Sequence, residues 1–271
     1  MNIKRLLILA IVILTMACQS EKKSQENDTK SPNVIKDITP QEKQGQELLD
    51  ECVKAHGGLE NWNKFEGLEY ILINNDKSIY QITNLKDRRT YMEADSFKVG
   101  FDGKNAWSVP NAEKIPAKSA AFYYNLDFYF FAIPFVLKDN GVIATYEGKI
   151  VLKDKEYDSI KISFGNDVGL TPDDVYYLYL DPKTHVLQIL TYSVSFIEKE
   201  NAKIKTAKLY TDWHEVQGLL VPGKMENFEW NGSEIGNSKN LNRIFKDVRF
   251  LEKTPNQERF NAPNGAVLEK I

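Results

Sequence analysis

Most of the chain beyond its first quarter alternates apolar and polar residues, which is the period-two pattern of a β-strand with one buried face. Leu68, Tyr70 and Leu72 begin this alternation, and further predicted strands follow, among them Val186–Ile197 and Leu219–Trp230. Turn residues separate the segments, among them Asp102-Gly103 and the sequence Asp181–Thr184. Short strands joined by tight turns are typical of an antiparallel meander. We therefore predict a mainly β fold with about ten or eleven antiparallel strands.

A helix is predicted ahead of the strands. Thr39-Pro40-Gln41-Glu42 is a capping box with proline at the first helical position. Apolar residues then recur at helical spacing until Gly57-Gly58. The pattern predicts an N-terminal helix over residues 40–55. Cys52 lies on its apolar side, and we interpret it as a small buried hydrophobic residue rather than a reactive thiol.

The segment Ala120–Leu137 breaks the alternation and is apolar on nearly all sides, with many Phe and Tyr residues. Its length suits a helix, and a helix that is apolar all round is buried. Pro134 must kink or end this helix. A large sheet that curls without closing leaves a concave apolar face, which this aromatic helix can cover as a lid. Helix and sheet then either form a filled core or enclose a cavity for a lipid tail, and the pattern leaves both open.

The N-terminus carries a separate pattern. Two basic residues precede the unbroken apolar run Leu6–Leu14, which suits the core of a signal peptide and is too short to span a bilayer. The run leads into Thr15-Met16-Ala17-Cys18, which resembles the lipobox of bacterial lipoproteins. In a lipobox the cysteine thiol receives a diacylglyceryl group and becomes the new N-terminus. We therefore predict a signal peptide over residues 1–17 and lipidation of Cys18.

The composition after Cys18 fits a tethered domain. Residues 18–38 are mostly polar and charged, as in a flexible linker, and residues 39–271 contain no Pro/Gly/Ser-rich break. We predict one β domain over 39–271, anchored to a membrane through Cys18. The expected location is the cell envelope, with the lipid in the outer membrane and the domain on its periplasmic or surface face.

Charge and residue spacing exclude several functions. The chain has 35 Lys and Arg against 38 Asp and Glu, and no basic cluster is interleaved with aromatic residues, so we expect no nucleic-acid partner. His56, His185 and His214 lack metal-ligand spacing, so we expect no metal and no cofactor. We interpret Asp173-Asp174 as part of a solvated turn. No phosphate-binding or nucleophile motif is present in the sequence, so we predict no enzymatic activity.

Several segments together resemble the LolA/LolB-like lipoprotein-sorting superfamily. They are Ala55–Trp62, Gly100–Gly103 with Trp107, the hairpin Tyr179–Thr184, and the late strand pair Tyr210–Glu226. The aromatic stretch Phe128–Leu137 looks like that of an uncharacterised lipoprotein family from Bacteroidota within that superfamily. The resemblance implies an incomplete antiparallel β-barrel with helices closing its mouth, and binding of acyl chains of lipids or lipoproteins. The sorting carrier itself is soluble, whereas this chain is expected to be anchored, as the receptor is.

The candidate ligand-binding residues follow from helical spacing. Phe128, Phe131 and Phe135 are three and four residues apart, so one helical face can present them to a cavity. Tyr124 falls one turn earlier on that face. The opposing wall is assigned to the tryptophans Trp62, Trp107 and Trp213.

The sequence thus predicts a membrane-anchored, non-enzymatic protein that binds lipid or lipoprotein acyl chains in an apolar half-barrel. Two alternatives stay open. The first is a structural or interaction lipoprotein with a filled barrel and no ligand. The second is a hydrolase that uses carboxylates in the barrel mouth. The ligand, the protein partners and the oligomeric state do not follow from the sequence.

Overall fold

A computed structural model describes residues 38–165, 173–198 and 203–271. Within them, the α-helices are α1 (Pro40–Ala55), α2 (Leu59–Trp62), α3 (Ala120–Ala132) and α4 (Ser195–Glu198). The strands of the first half are β1 (Gly67–Asn74), β2 (Lys77–Asn84), β3 (Thr90–Ala94), β4 (Phe97–Phe101), β5 (Asn105–Val109), β6 (Val142–Leu152) and β7 (Lys155–Phe164). Those of the second half are β8 (Tyr176–Leu180), β9 (Leu187–Tyr192), β10 (Thr206–Thr211), β11 (His214–Val216), β12 (Leu219–Val221), β13 (Lys224–Trp230), β14 (Ile235–Leu251) and β15 (Val267–Lys270).

Thirteen of these strands form one sheet, in the order β15-β5-β4-β3-β2-β1-β14-β13-β10-β9-β8-β7-β6. Neighbouring strands run antiparallel throughout, for example β1 with β14 and β8 with β9. The edge strands β15 and β6 do not pair with each other, so the sheet is open. Strands β11 and β12 form a separate hairpin. The predicted fold class, a mainly β protein with an incomplete antiparallel barrel, is confirmed.

Helix α1 begins where the capping box predicts. The Glu42 backbone N–H donates to Thr39 Oγ1 (3.1 Å), and the Thr39 N–H donates to Glu42 Oε2 (2.7 Å), which satisfies two of the free donors of the first turn. The helix packs closely on β6, because a Cβ on Gly45 would lie 2.6 Å from the Ala144 carbonyl oxygen. Cys52 is fully buried in the core, as predicted.

The sheet curls around the aromatic helix α3. Tyr123 packs on Phe97 of β4, with ring centroids 6.0 Å apart, and Phe130 packs on Tyr192 of β9, with centroids 4.6 Å apart. Six strands separate β4 from β9 in the sheet, and in a flat sheet this separation would be about 34 Å. One helix of roughly 10–12 Å diameter cannot contact both strands unless the sheet bends around it. The helix therefore lies inside the half-barrel.

Both ends of α3 are fixed by identifiable residues. At its start, Ser119 Oγ accepts the Phe122 N–H (3.2 Å), and the Glu269 carboxylate of β15 accepts the Ala120 N–H (2.6 Å). A carboxylate is favourable there because the N-terminal end of a helix is partly positive. At the other end α3 stops before Pro134, as predicted, and a 3₁₀ turn over Phe135–Lys138 follows.

The strand pattern departs from the sequence prediction at particular places. The prediction omitted both edge strands: β6 mixes half-buried and exposed residues without clean alternation, and β15 has only 4 residues. The predicted strand over 219–230 is divided into β12 and β13, because proline at 222 cannot donate to a ladder. The predicted strand over 186–197 ends at Tyr192, and α4 follows.

Candidate functional site

An apolar cavity of about 460 Å³ lies between α3 and strands β6 to β9. This volume falls within the roughly 300–1,000 Å³ of typical small-molecule sites. Helix α3 supplies more than a third of the lining residues, which are Ala121, Phe122, Tyr124, Asn125, Leu126, Tyr129 and Phe130. Both helix and sheet therefore contribute to a mainly apolar, partly open cavity inside the half-barrel.

The sheet side of the cavity is a series of aromatic rings set edge to face. Tyr176 contacts Phe164 and Tyr192 with ring centroids 5.4 Å and 6.2 Å apart, at interplanar angles of 79° and 81°. Tyr129 of α3 meets Tyr176 at 6.1 Å and 72°. Burial raises the pKa of Tyr176 well above its ordinary value, so its phenol is uncharged at neutral pH. This part of the wall is aromatic and carries no tyrosinate charge.

Charged side chains lie at one part of the cavity. Arg88 donates through Nη2 to Asp139 Oδ2 at 2.9 Å, and its guanidinium carbon lies 5.3 Å from the centre of the Phe128 ring. Arg88 Nη1 is buried and has no hydrogen-bond partner in the described part of the chain. The ion pair therefore joins the turn between β2 and β3, which contains Arg88, to Asp139, which follows the 3₁₀ turn Phe135–Lys138.

Asp174 corrects the interpretation of Asp173-Asp174 as a solvated turn. Asp173 is exposed, but Asp174 is only 5% exposed and lies on the cavity wall. Its Oδ1 accepts the Ser195 N–H at 2.6 Å and the Ser193 hydroxyl at 3.2 Å. The carboxylate thereby holds the start of α4 against the end of β9.

Phe122 of α3 and Phe196 of α4 form an exposed part of the cavity wall. Their rings stack with centroids 4.9 Å apart at 21°, and Phe196 remains 40% exposed. Both residues line the cavity. This stack is an apolar surface that water reaches from outside.

Of the seven residues predicted to contact a ligand, the structure places Tyr124 on the cavity wall. Phe131 packs on Tyr70 and Phe245, with ring centroids 5.2 Å and 4.7 Å apart. Phe135 stacks on Trp62 at 4.6 Å. These aromatic side chains are buried in the main hydrophobic core.

The remaining predicted residues are also away from the cavity. Phe128 is fully buried beneath Arg88. Trp107 is fully buried, and its Nε1 donates to the Phe260 carbonyl at 2.8 Å. Trp213 stacks on Tyr210 at 5.8 Å. Cys18 lies outside the described residues.

The sequence prediction missed the tyrosines of the sheet wall, although a signal for them was present. Tyr176 and Tyr192 are directly paired across β8 and β9. The hairpin turn at Asp181–Thr184 was identified from the sequence, and its position sets the register that brings the two tyrosines together. Arg88 and Asp174 had no such signal, because their roles depend on contacts between distant segments.

Nucleophilic and metal-binding groups are buried or scattered in the described part of the chain. Burial raises the pKa of the Cys52 thiol far above its ordinary value, so the thiolate is disfavoured. Burial also lowers the pKa of His56 to about 4. No three His, Cys, Asp or Glu side chains come close enough to hold a metal ion within the described ranges. No described helix has both the length and the apolar character needed to cross a membrane.

Residues 33–217 match the model of a family of unknown function, DUF6503. The chain belongs to this family. No curated protein matches the chain in sequence.

Several solved structures are similar to the chain at low identity. A LolA superfamily protein from Nitrosomonas europaea is 8% identical, with 80% of this chain and 97% of that chain covered and a TM-score of 0.49. A domain from Vibrio parahaemolyticus, described as a putative outer membrane lipoprotein-sorting protein domain, is 10% identical. The similarity covers 81% of this chain and 97% of that chain, with a TM-score of 0.48. The lipoprotein LppX of Mycobacterium tuberculosis is 11% identical, with 55% and 88% covered and a TM-score of 0.26. Because these TM-scores are below 0.5, we assign the fold of the DUF6503 chain from its own strand order and not from these similarities.

Proposed function

We propose that this DUF6503 protein is a non-enzymatic envelope lipoprotein that binds an acyl chain of a lipid or lipoprotein in the cavity beside α3. Lipidation of Cys18 is the anchor in this proposal, with residues 18–38 as linker and 39–271 as the binding domain. The outer membrane is the proposed site of the anchor. The observation that carries the proposal is the cavity itself, about 460 Å³ with a mainly apolar and aromatic wall.

The energetics suit an acyl chain. Each buried methylene contributes about 0.8 kcal/mol, so ten methylenes contribute roughly 8 kcal/mol before the cost of ordering the chain. That is enough for micromolar binding without any specific polar contact, if ordering costs stay small. A solid core at this place would instead favour a structural role without a ligand.

Binding is tested with the neutral fluorescent probe N-phenyl-1-naphthylamine and residues 19–271, purified without detergent. Residues Ile38–Ile271 form one compact unit, so this segment retains the described fold. We expect saturable fluorescence enhancement, and displacement of the probe by fatty alcohols. Mass spectrometry of co-purifying lipids identifies what the cavity holds in the cell.

A cavity-filling variant links binding to this site. Leu126 is half-buried on the cavity wall, so Leu126→Trp should fill the space and lower probe affinity tenfold or more. Val151→Trp is the matched control, since Val151 is 63% exposed on the edge strand β6. Absence of probe binding to the unaltered chain, or equal loss in both variants, would rule out the proposed site.

A further inference from the structure

The charges along the cavity wall do not cancel. Arg88, Asp139 and Asp174 are its charged side chains among the described residues. Arg88 and Asp139 form an ion pair at 2.9 Å and neutralise each other. Asp174 remains, and no described cation lies within ion-pair distance of it. Among the described residues, one carboxylate side chain of the cavity wall therefore has no ion-pair partner.

Asp174 is also incompletely hydrogen-bonded. Both protein donors, the Ser195 N–H and the Ser193 hydroxyl, bond to Oδ1, and Oδ2 has no partner in the described part of the chain. The residue is 5% exposed. Oδ2 is not fully shielded from water, and a carboxylate in a largely buried residue is stabilised by a cation or by further donors. Its second oxygen thus has an unused capacity to accept from a ligand.

Four aromatic rings line the cavity together with Asp174. Phe164, Tyr176 and Tyr192 succeed one another at nearly perpendicular angles, and Tyr129 meets Tyr176 at 72°. Asp174 precedes Tyr176 by two residues in the chain, and both line the cavity together with Tyr129. Aromatic rings and a carboxylate in one cavity both attract ammonium groups, the rings through cation–π attraction and the carboxylate through its charge.

We propose that the cavity selects amphiphiles with an ammonium head group, which Asp174 and the rings of Tyr129, Phe164 and Tyr176 bind while the apolar wall holds the chain. This inference rests on the proposed function, because it assigns the head group of the same ligand. A carboxylate head is disfavoured, because Asp174 would repel it and Asp139 already compensates the charge of Arg88, which leaves only the unpartnered Nη1 of Arg88 as a donor for it.

The test compares ligands that differ only in the head group. Dodecylammonium, dodecanol and dodecanoate are titrated below their micellar concentrations into residues 19–271 loaded with N-phenyl-1-naphthylamine. We expect the ammonium compound to displace the probe at a concentration at least tenfold lower than dodecanol, and dodecanoate to be the weakest. Equal affinity of the three, or a preference for dodecanoate, would overturn the inference while leaving apolar binding intact. If the probe does not bind at all, the proposed function fails and this inference fails with it.

Variants assign the preference to particular groups. Asp174→Asn keeps the hydrogen-bond acceptor for Ser193 and Ser195 and should reduce the preference for ammonium over dodecanol about tenfold. Glu147→Gln removes the same charge at an exposed site on β6 and should leave the preference unchanged. Tyr176→Phe keeps the ring and should retain the preference, whereas Tyr176→Leu should reduce it. If Glu147→Gln has the same effect as Asp174→Asn, the preference reflects net charge alone and the site assignment is wrong.

Discussion

The Nζ of Lys208 lies 4.6 Å from the centre of the Phe130 ring, and Phe130 also lines the cavity. Lys208 is 3% exposed, and its ammonium donates to Asn227 Oδ1 at 2.8 Å. Burial, and after it the positive charge of Arg243, lowers the pKa of Lys208 to about 7, although Asp127 opposes the shift. The core beside the cavity therefore contains a lysine that changes charge near neutral pH.

Stability should depend on pH through Lys208. In the unfolded chain the pKa of Lys208 returns towards 10.5. Between about pH 7 and pH 10.5 the unfolded chain therefore binds more protons than the folded chain. The free energy of unfolding therefore increases with pH across this window, and the full cost of the buried charge is present below it. We expect Lys208→Met to remove this increase, measured by urea denaturation at several pH values. Lys246→Met, at an exposed position of β14, is the control and should retain the increase.

His56 should make the fold sensitive to acid. Its Nδ1 lies 2.7 Å from the Cys52 carbonyl oxygen, so Nδ1 carries the proton and donates, and its ring meets Trp213 edge to face at 4.9 Å. Burial lowers the pKa of His56 from 6.5 to about 4. Between these values the unfolded chain takes up the proton first, so stability falls as pH drops from about 6.5 to 4, by about 3 kcal/mol in all.

The measurement for His56 is the free energy of unfolding between pH 7 and pH 4. His56→Phe should flatten this part of the curve, even if it is less stable at pH 7 for want of the hydrogen bond to Cys52. His214→Phe alters an exposed histidine and is the matched control. An unchanged slope in His56→Phe would contradict the assignment.

Local rules carried part of the fold prediction. The capping box at Thr39–Glu42 gave the start of α1, Pro134 gave the end of α3, and the Asp181–Thr184 turn gave the β8–β9 hairpin. Each is a short-range interaction, so a single sequence contains all the residues involved. The edge strand β6 was missed because it pairs on one side only and its residues do not alternate cleanly between buried and exposed.

The site could be predicted less well, for physical reasons. Helix α3 is apolar all round, so its sequence does not distinguish the face against the core from the face along the cavity. Spacing favoured Phe128 and Phe131, whereas the structure places Leu126 and Tyr129 on the cavity wall. Asp174 follows Thr171-Pro172 and an exposed aspartate, which is locally typical of a solvated turn. Its burial depends on Ser193 and Ser195, which no local pattern connects to it.

Phe131 provides a test of the division between core and cavity. It is 2% exposed and packs on Tyr70 and Phe245. Phe131→Ser should therefore lower the free energy of unfolding by about 3–5 kcal/mol, because it leaves a void and buries a hydroxyl. Phe122→Ser, at a half-buried position on the cavity wall, should cost much less stability and weaken probe binding. A folded Phe131→Ser protein with normal stability and lost probe binding would instead place Phe131 at the ligand.

The anchor is tested at Cys18. The run Leu6–Leu14 is too short to span a bilayer, so retention in the membrane after processing requires the lipid on Cys18 in this proposal. Cys18→Ala should move the protein from the membrane fraction to the soluble fraction, and labelling with radioactive palmitate should disappear. Cys52→Ala is the matched control, because Cys52 is a buried core residue and its loss should leave both fractionation and labelling unchanged. If Cys18→Ala stayed in the membrane fraction as fully as the unaltered protein, another part of the molecule would hold it there. The proposal that the lipid on Cys18 is the anchor would then be wrong.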